Sequence, residues 1–307
     1  MKNILVIYFS QSGQLKEILE QMLSPLVKSE DFTVDFQAIA PLEKHPFPWP
    51  KKAFFDVFPE SFLQIPKPNE PFPQEFFQKN YDLVILGYQT WYLSPSVPFN
   101  SFLKSEEGKN ILTGKPVVTV SASRNMWIFA QEKTKKMLQA IKANLVGNIA
   151  LVDRHWNHIS VITIVHWMMG GKKTKYLGIF PKPGVSDNDI ASSSKFGESI
   201  EKYLQENDLQ NLQPDLVKKG AVKISPFLVQ CDGRGNYIFA KWAKLIYEKG
   251  QQSPEKRKRW LKFFNYYLIF AIWVIMPVVF VLFLLTYLPL YHQINKDKKY
   301  YQSVSFR

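Results

Sequence analysis

Apolar residues occupy every position from Ile4 to Phe9, which predicts a strand buried on both faces. Behind it Leu15, Ile18, Leu19, Met22, Leu23 and Leu26 recur at helical spacing and predict a helix with one apolar stripe. Phe32, Val34, Phe36 and Ala38 alternate with polar residues, the pattern of a half-buried strand. Further apolar runs predict strands over residues 82–87, 116–120 and 149–152. Helices are predicted over 98–103, around Met137, Leu138 and Ile141, and over 190–204 behind the helix-start cluster Ser186-Asp187-Asn188-Asp189. Strands alternating with helices require right-handed crossovers and a parallel sheet covered on both sides. The predicted class is α/β, with a doubly wound five-stranded sheet over residues 1–206.

Four stretches depart from that rhythm. Residues 41–80 interleave nine prolines with aromatics such as Phe47, Trp49, Phe54 and Phe62. The prolines argue against a regular helix and the aromatics against disorder, so an ordered excursion is expected, able to wall an apolar pocket. Within an insert over 153–185, residues 159–169 are almost wholly apolar, too short to span a bilayer and suited to a buried or surface-dipping helix. Residues 207–262 are expected to form a polar linker followed by a basic amphipathic juxtamembrane region. Residues 266–291 carry no formal charge and have Trp and Tyr towards their ends, so a single C-terminal transmembrane helix is expected within 263–291, ahead of a polar tail.

Charge and cysteine usage place the chain. The net charge of +13 asks for an anionic partner, and its gathering around the apolar C-terminal segment favours a lipid bilayer over nucleic acid. The lone Cys231 rules out an intramolecular disulfide and fits a reducing compartment. No signal-peptide pattern is visible at the N-terminus. Five basic residues precede the predicted span (Lys256, Arg257, Lys258, Arg259, Lys262) and four follow it, a slight bias towards a cytoplasmic domain on the inner membrane. His155, His158 and His166 have only Asp153 as a nearby carboxylate, and no metal site is expected.

Candidate chemistry lies in three loops that leave strand ends. The first, Ser10-Gln11-Ser12-Gly13-Gln14, offers backbone N–H groups, hydroxyls and a helix N-terminus to one anion. It holds no lysine and no G-x-G-x-x-G. Its S-x-S-G-x form resembles the phosphate loop of flavodoxin-like proteins, which holds the 5′-phosphate of FMN. The second loop carries Thr90, Trp91 and Tyr92, and the third runs Ser121-Ala122-Ser123-Arg124-Asn125. In a doubly wound sheet all three converge on one crevice. There Trp91 or Tyr92 can stack on a flavin ring, and the third-loop backbone with the Arg124 guanidinium can donate to its N1–C2=O edge. The second loop is similar to the G-x-P-x-Y loop of flavodoxin-like quinone reductases, with Gln89 in place of the proline and Trp91 in place of the tyrosine.

A closer resemblance rests on Tyr8-Phe9-Ser10-Gln11-Ser12-Gly13-Gln14-Leu15, Arg124-Asn125-Met126-Trp127, Leu145-Val146-Gly147-Asn148-Ile149 and residues 158–173 and 180–186. Together these resemble the bacterial proteins named dialkylresorcinol condensing enzymes, which act beside a ketosynthase in making dialkylresorcinols and flexirubin-type pigments. The resemblance implies FMN held by residues 10–15, 90–92 and 121–125, a hydrophobic polyketide-like substrate and a ketosynthase partner. Condensation generally needs an activated cysteine with histidine partners, and Cys231 has no histidine near it in sequence. Oxidation of a dialkyl-cyclohexanedione to the aromatic resorcinol suits a flavin better, with Arg124 holding the enolate and His158 as the candidate base. A quinone reductase, and a tethered scaffold without cofactor, are the alternative readings. A homodimer is compatible with the sequence.

Overall fold

The computed structural model describes residues 1–307. Six strands and fourteen helices follow one another along the chain. The first half holds β1 (Lys2–Tyr8), α1 (Gln14–Lys28), β2 (Phe32–Ala38), α2 (Lys51–Asp56), α3 (Phe58–Leu63), α4 (Glu75–Gln78), β3 (Leu83–Trp91), β4 (Ser94–Pro95), α5 (Val97–Leu103) and α6 (Glu106–Leu112). Then come β5 (Pro116–Ser123), α7 (Ile128–Ala140), β6 (Asn144–Val152), α8 (Asn157–Gly170), α9 (Asp187–Ala191), α10 (Ser194–Gln205), α11 (Leu212–Lys218) and α12 (Pro226–Gln252). The apolar α13 runs Pro254–Thr286 through a π-helical turn at Ala271–Ile275, and α14 (Tyr291–Tyr301) closes the chain.

The sheet order is β2-β1-β3-β5-β6, all parallel, with β4 pairing antiparallel to β3. This is the flavodoxin-like doubly wound order, in which the winding reverses between β1 and β3. Alternate residues of each strand feed two cores. Ile4, Val6, Ile85 and Val120 pack against α1 and α10, while Leu5, Ile7, Leu86 and Val117 pack under α5, α7 and the excursion. All six apolar residues of the α1 stripe are fully buried.

Three expectations need correction. The excursion does contain helix, because α2, α3 and α4 are short enough to fit between its prolines. The helix expected over 190–204 is broken at Ser192–Ser193 into α9 and α10. The polar linker is in fact part of the domain. Leu212 and Leu216 of α11 are fully buried against β6, the Gln213 side chain accepts the Asn148 N–H (2.7 Å), and Val222 bridges to Ala150. Helix α12 then packs on α3 and α7, and α13 is long and apolar enough to cross a membrane.

The α12–α7 contact predicts a pH effect. Asp232 on α12 is fully buried and accepts the Phe129 N–H (3.3 Å), filling one of the unpaired donors at the start of α7. Burial pushes its carboxyl up to about 7. A carboxyl that holds its proton more tightly in the folded state stabilises fully below its unfolded value and loses that contribution as pH rises through the folded one. A tenfold difference in proton affinity between the two states is worth about 1.4 kcal/mol, so unfolding free energy is expected to fall by a few kcal/mol between about pH 4 and pH 8. Lys133, pulled down to about 8 by burial, titrates only at the upper edge of that window. In Asp232→Asn the amide keeps the acceptor and removes the charge, so urea midpoints at pH 5 and pH 8 should draw together. An unchanged pH slope in this variant would refute the assignment.

Candidate functional site

The carboxyl ends of β1, β3 and β5 bring the three candidate loops to one cavity of about 220 Å³. The first loop contributes Gln11, Ser12 and Gln14, the second Gln89 to Tyr92, and the third Ala122 to Arg124. Gly13 takes a left-handed φ of 86° as α1 begins, and the first N–H groups of that helix have no intrahelical partner. The Ser10 hydroxyl is turned onto the Lys16 N–H (3.3 Å), and the Gln11 N–H donates to Gln89 Oε1 (3.0 Å), tying the first loop to the second. The Gln14 amide is spent on both backbone groups of Val185, as acceptor (3.1 Å) and as donor (3.0 Å). That clamp explains Gly184, whose φ is +80° and where a Cβ would stand 2.6 Å from Gln14 Oε1 and 2.7 Å from the Trp167 ring. Leu15 is fully buried in the core beneath α1, outside the cavity.

The second loop departs from expectation. Adjacent residues on a regular strand point to opposite sides, yet Trp91 and Tyr92 both point inward. Tyr92 and Leu93 have φ of 49° and 59°, which folds β3 back onto β4 as a tight hairpin and lets consecutive side chains share one side. Trp91 joins a cluster with Phe9 (5.7 Å), His45 (4.9 Å) and Trp49 (4.7 Å). The Tyr92 hydroxyl donates to the Phe54 carbonyl (2.6 Å), and its ring lies 5.0 Å from that of Phe58. Neither ring is free to swing over a ligand. They form one wall of the cavity, with Trp49 and Phe54 of the excursion beside them. Thr90 Oγ1 is buried without a partner.

In the third loop Ser121 is fully buried below the cavity, whereas Ala122, Ser123 and Arg124 face it. Ser123 Oγ and Asn125 Oδ1 are buried and unpartnered. Arg124 donates from Nη1 to Asn157 Oδ1 (2.6 Å) and to the Asn157 carbonyl (3.2 Å), and no carboxylate contacts it. Asn157 Oδ1 also accepts from Asn125 Nδ2 (2.9 Å). Asp153, whose field supports the cation, is itself taken up by Ser160 Oγ (2.8 Å) and the His155 N–H (2.9 Å). Burial lowers the guanidinium to about 10, which leaves it charged at neutral pH. A half-buried cation without an anionic contact is a ready receptor for a ligand anion.

His158 does not reach the cavity. Its Nε2 lies 3.0 Å from the Ile272 carbonyl of α13 and its ring packs on Trp273. The residue beside it, Asn157, carries no signal in the sequence, and it alone holds the Arg124 and Asn125 side chains. The apolar stretch expected as a buried or surface-dipping helix forms the cover: Ile164, Val165, Trp167, Met168 and Met169 of α8 close the cavity from above, pinned by the Trp49 N–H to the Met168 carbonyl (2.6 Å). A second, apolar cavity of about 490 Å³ adjoins the first between α8, α12 and α13 and shares Thr90, Tyr92, Ser123 and Arg124 with it. No carboxylate or imidazole lines either cavity.

Neither a family model nor a curated protein sequence matches the chain. Among solved structures it is similar to a flavoprotein in complex with FMN from Lactobacillus acidophilus NCFM, at 18% identity over 49% of this chain and 93% of that one, with a TM-score of 0.40. It is also similar to oxidised Flavodoxin 1 from Bacillus cereus (16% identity, 66% and 99% covered, TM-score 0.37). A flavone reductase matches at 10% identity, 67% and 64% covered, with a TM-score of 0.37.

Proposed function

We propose that the protein is an FMN-dependent oxidoreductase, held at the inner membrane by α13 with its α/β domain on the cytoplasmic side, that aromatises a dialkyl-cyclohexanedione to a dialkylresorcinol. The observation that carries the cofactor reading is the meeting of three strand-end loops at one cavity whose buried Gln11, Thr90 and Ser123 side-chain oxygens have no partner within the protein. Buried polar atoms are normally paired, so these fit a polar ligand. The Ser12–Gly13 turn and the α1 N-terminus suit a phosphate. The Trp91–Tyr92 wall and the α8 cover leave a largely apolar space between them that suits a ring system. When bound, FMN supplies a two-electron acceptor beside the substrate.

The chain's own residues supply the rest. A cyclic 1,3-dione ionises readily to an enolate, and the Arg124 guanidinium is placed to hold that charge out of water. The adjoining apolar cavity, lined by side chains such as Phe239, Leu268 and Ile272, suits alkyl chains. With neither carboxylate nor imidazole on its walls, the site favours proton loss through enolisation assisted by Arg124 rather than through a dedicated base. Cys231 borders the apolar cavity with its thiol pushed up to about 11 by burial, which leaves it unsuited to condensation chemistry. That step would belong to a ketosynthase partner.

The direct test supplies detergent-purified, FMN-loaded protein with a 2,5-dialkylcyclohexane-1,3-dione and an electron acceptor, and follows resorcinol by chromatography. Resorcinol formation is expected. Full flavin loading and a working acceptor without resorcinol would remove the aromatase reading, and rapid bleaching by NAD(P)H would replace it with a quinone reductase.

A further inference from the structure

Helix α13 has 33 residues and therefore extends for about 50 Å, well beyond the roughly 30 Å of a bilayer's hydrocarbon core. It touches the α/β body along its whole length. Near its start Arg257 pairs with Asp56 (2.6 Å) and Glu60 (2.8 Å), and Phe264 stacks on Phe58 at 3.9 Å. Midway, the Ile272 carbonyl meets His158 and Met276 meets Asn157, the residue that holds Arg124. Near its end Phe280 and Phe283 pack on Phe227 at 5.0 and 5.6 Å. The chain beyond then returns to the same body. The Tyr300 hydroxyl donates to Glu132 (2.6 Å), its ring lies 4.4 Å from Lys135 Nζ, and the Gln302 carbonyl accepts from Gln213 (2.8 Å).

These contacts favour a helix that lies along one face of a bilayer over one that crosses it. A crossing would put Arg257 and Tyr300 on opposite sides of the hydrocarbon, and would carry Asn157 and Arg124 to its midplane, where charge is costly. The outward face of α13 is nevertheless strongly apolar and exposed, from Phe270 and Val274 through Val278 and Val281 to Leu285 at 72%, and Leu288 in the turn beyond it is 82% exposed. Trp156, 84% exposed, stands at the start of α8 next to the Asn157–Met276 contact and extends that face. Exposed cations flank it along the chain: Lys258 and Lys262 before it, Lys296, Lys298 and Lys299 after it. An apolar face with a basic border and interfacial aromatics matches one leaflet of an anionic bilayer.

We propose that α13 lies in the plane of one leaflet, as a monotopic anchor, with both its ends on the same side of the membrane. The apolar cavity between α8, α12 and α13 is then bounded by the membrane-embedded helix at one end and by Arg124 at the other, so that alkyl-bearing substrate enters from the leaflet without crossing water. The entry route rests on the proposed function, whereas the in-plane anchor rests on the contacts of α13 alone.

The test uses the full chain in membrane vesicles of known orientation, with Cys231→Ala as background and a single cysteine at Gln252→Cys or at Ser305→Cys. Both positions are exposed, one just before α13 and one after α14. A membrane-impermeant maleimide should label both from the same face of the vesicle and neither from the other. Labelling from opposite faces would overturn the in-plane anchor. Flavin absorbance of the same preparations separates the two readings, since coloured protein labelled from opposite faces would remove only the anchor. Colourless protein labelled from one face would remove only the flavin site.

Discussion

Arg124→Ala is expected to lower kcat/KM for a cyclic 1,3-dione by about a hundred- to a thousandfold, the range for losing one donor to a developing oxyanion. Part of that loss should appear in KM, because a readily ionised dione already presents its charge to the guanidinium when it binds, and the rest in kcat. The side chain is held from one direction only, by Asn157, and its remaining N–H groups face the two cavities. Arg124→Lys keeps the charge and loses the fork, so it should recover only part of the activity. FMN content should change little in either variant, since the phosphate loop lies on a different strand end. Steady-state kinetics with flavin content measured in parallel checks both points, and an alanine variant with native kcat would remove Arg124 from the chemistry.

Trp91→Ala should destabilise the fold by about 3–5 kcal/mol, the usual cost of truncating a buried tryptophan. At 6% exposure the indole is the centre of the Phe9–His45–Trp49 cluster. Through Trp49 that cluster reaches α8, so its loss should also loosen the cover over the cavity and weaken flavin retention. Trp91→Phe, which keeps an aromatic of smaller volume, should lose less of both. Urea midpoints and flavin release on dilution measure the two effects. A Trp91→Ala protein of native stability that loses only flavin would mean instead that the ring acts as a stacking partner.

The sheet is legible in the sequence because buried strands and amphipathic helices write themselves as apolar periodicity. The five main strands and their winding follow from runs such as Ile4–Phe9 and stripes such as Leu15–Leu26, whose apolar residues are buried as the pattern requires. The location of the site is legible for the same reason, since strand ends at a reversal of winding must meet. Individual roles are less legible. Trp91 and Tyr92 suggest a stacking ring, but their direction is set by positive φ at Tyr92 and Leu93, which neither residue type signals. Gln14 reads as a phosphate donor and is occupied by Val185, a partner 171 residues away. His158 stands out as a titratable residue of its insert, while the working contact belongs to its neighbour Asn157. Residues 212–218 read as linker because only Leu212, Leu216 and Val217 in that segment are apolar, yet two leucines one turn apart suffice to dock a short helix on β6.

An absorbance spectrum of the detergent-purified protein, taken before and after incubation with FMN and gel filtration, tests the central claim most directly. Retention of about one FMN per chain, with the flavin bands of a bound ring, is the expected result, together with markedly weaker retention of riboflavin, which lacks the phosphate that Ser12, Gly13 and the α1 N-terminus would hold. Folded protein that stays colourless after incubation with excess FMN would contradict the account.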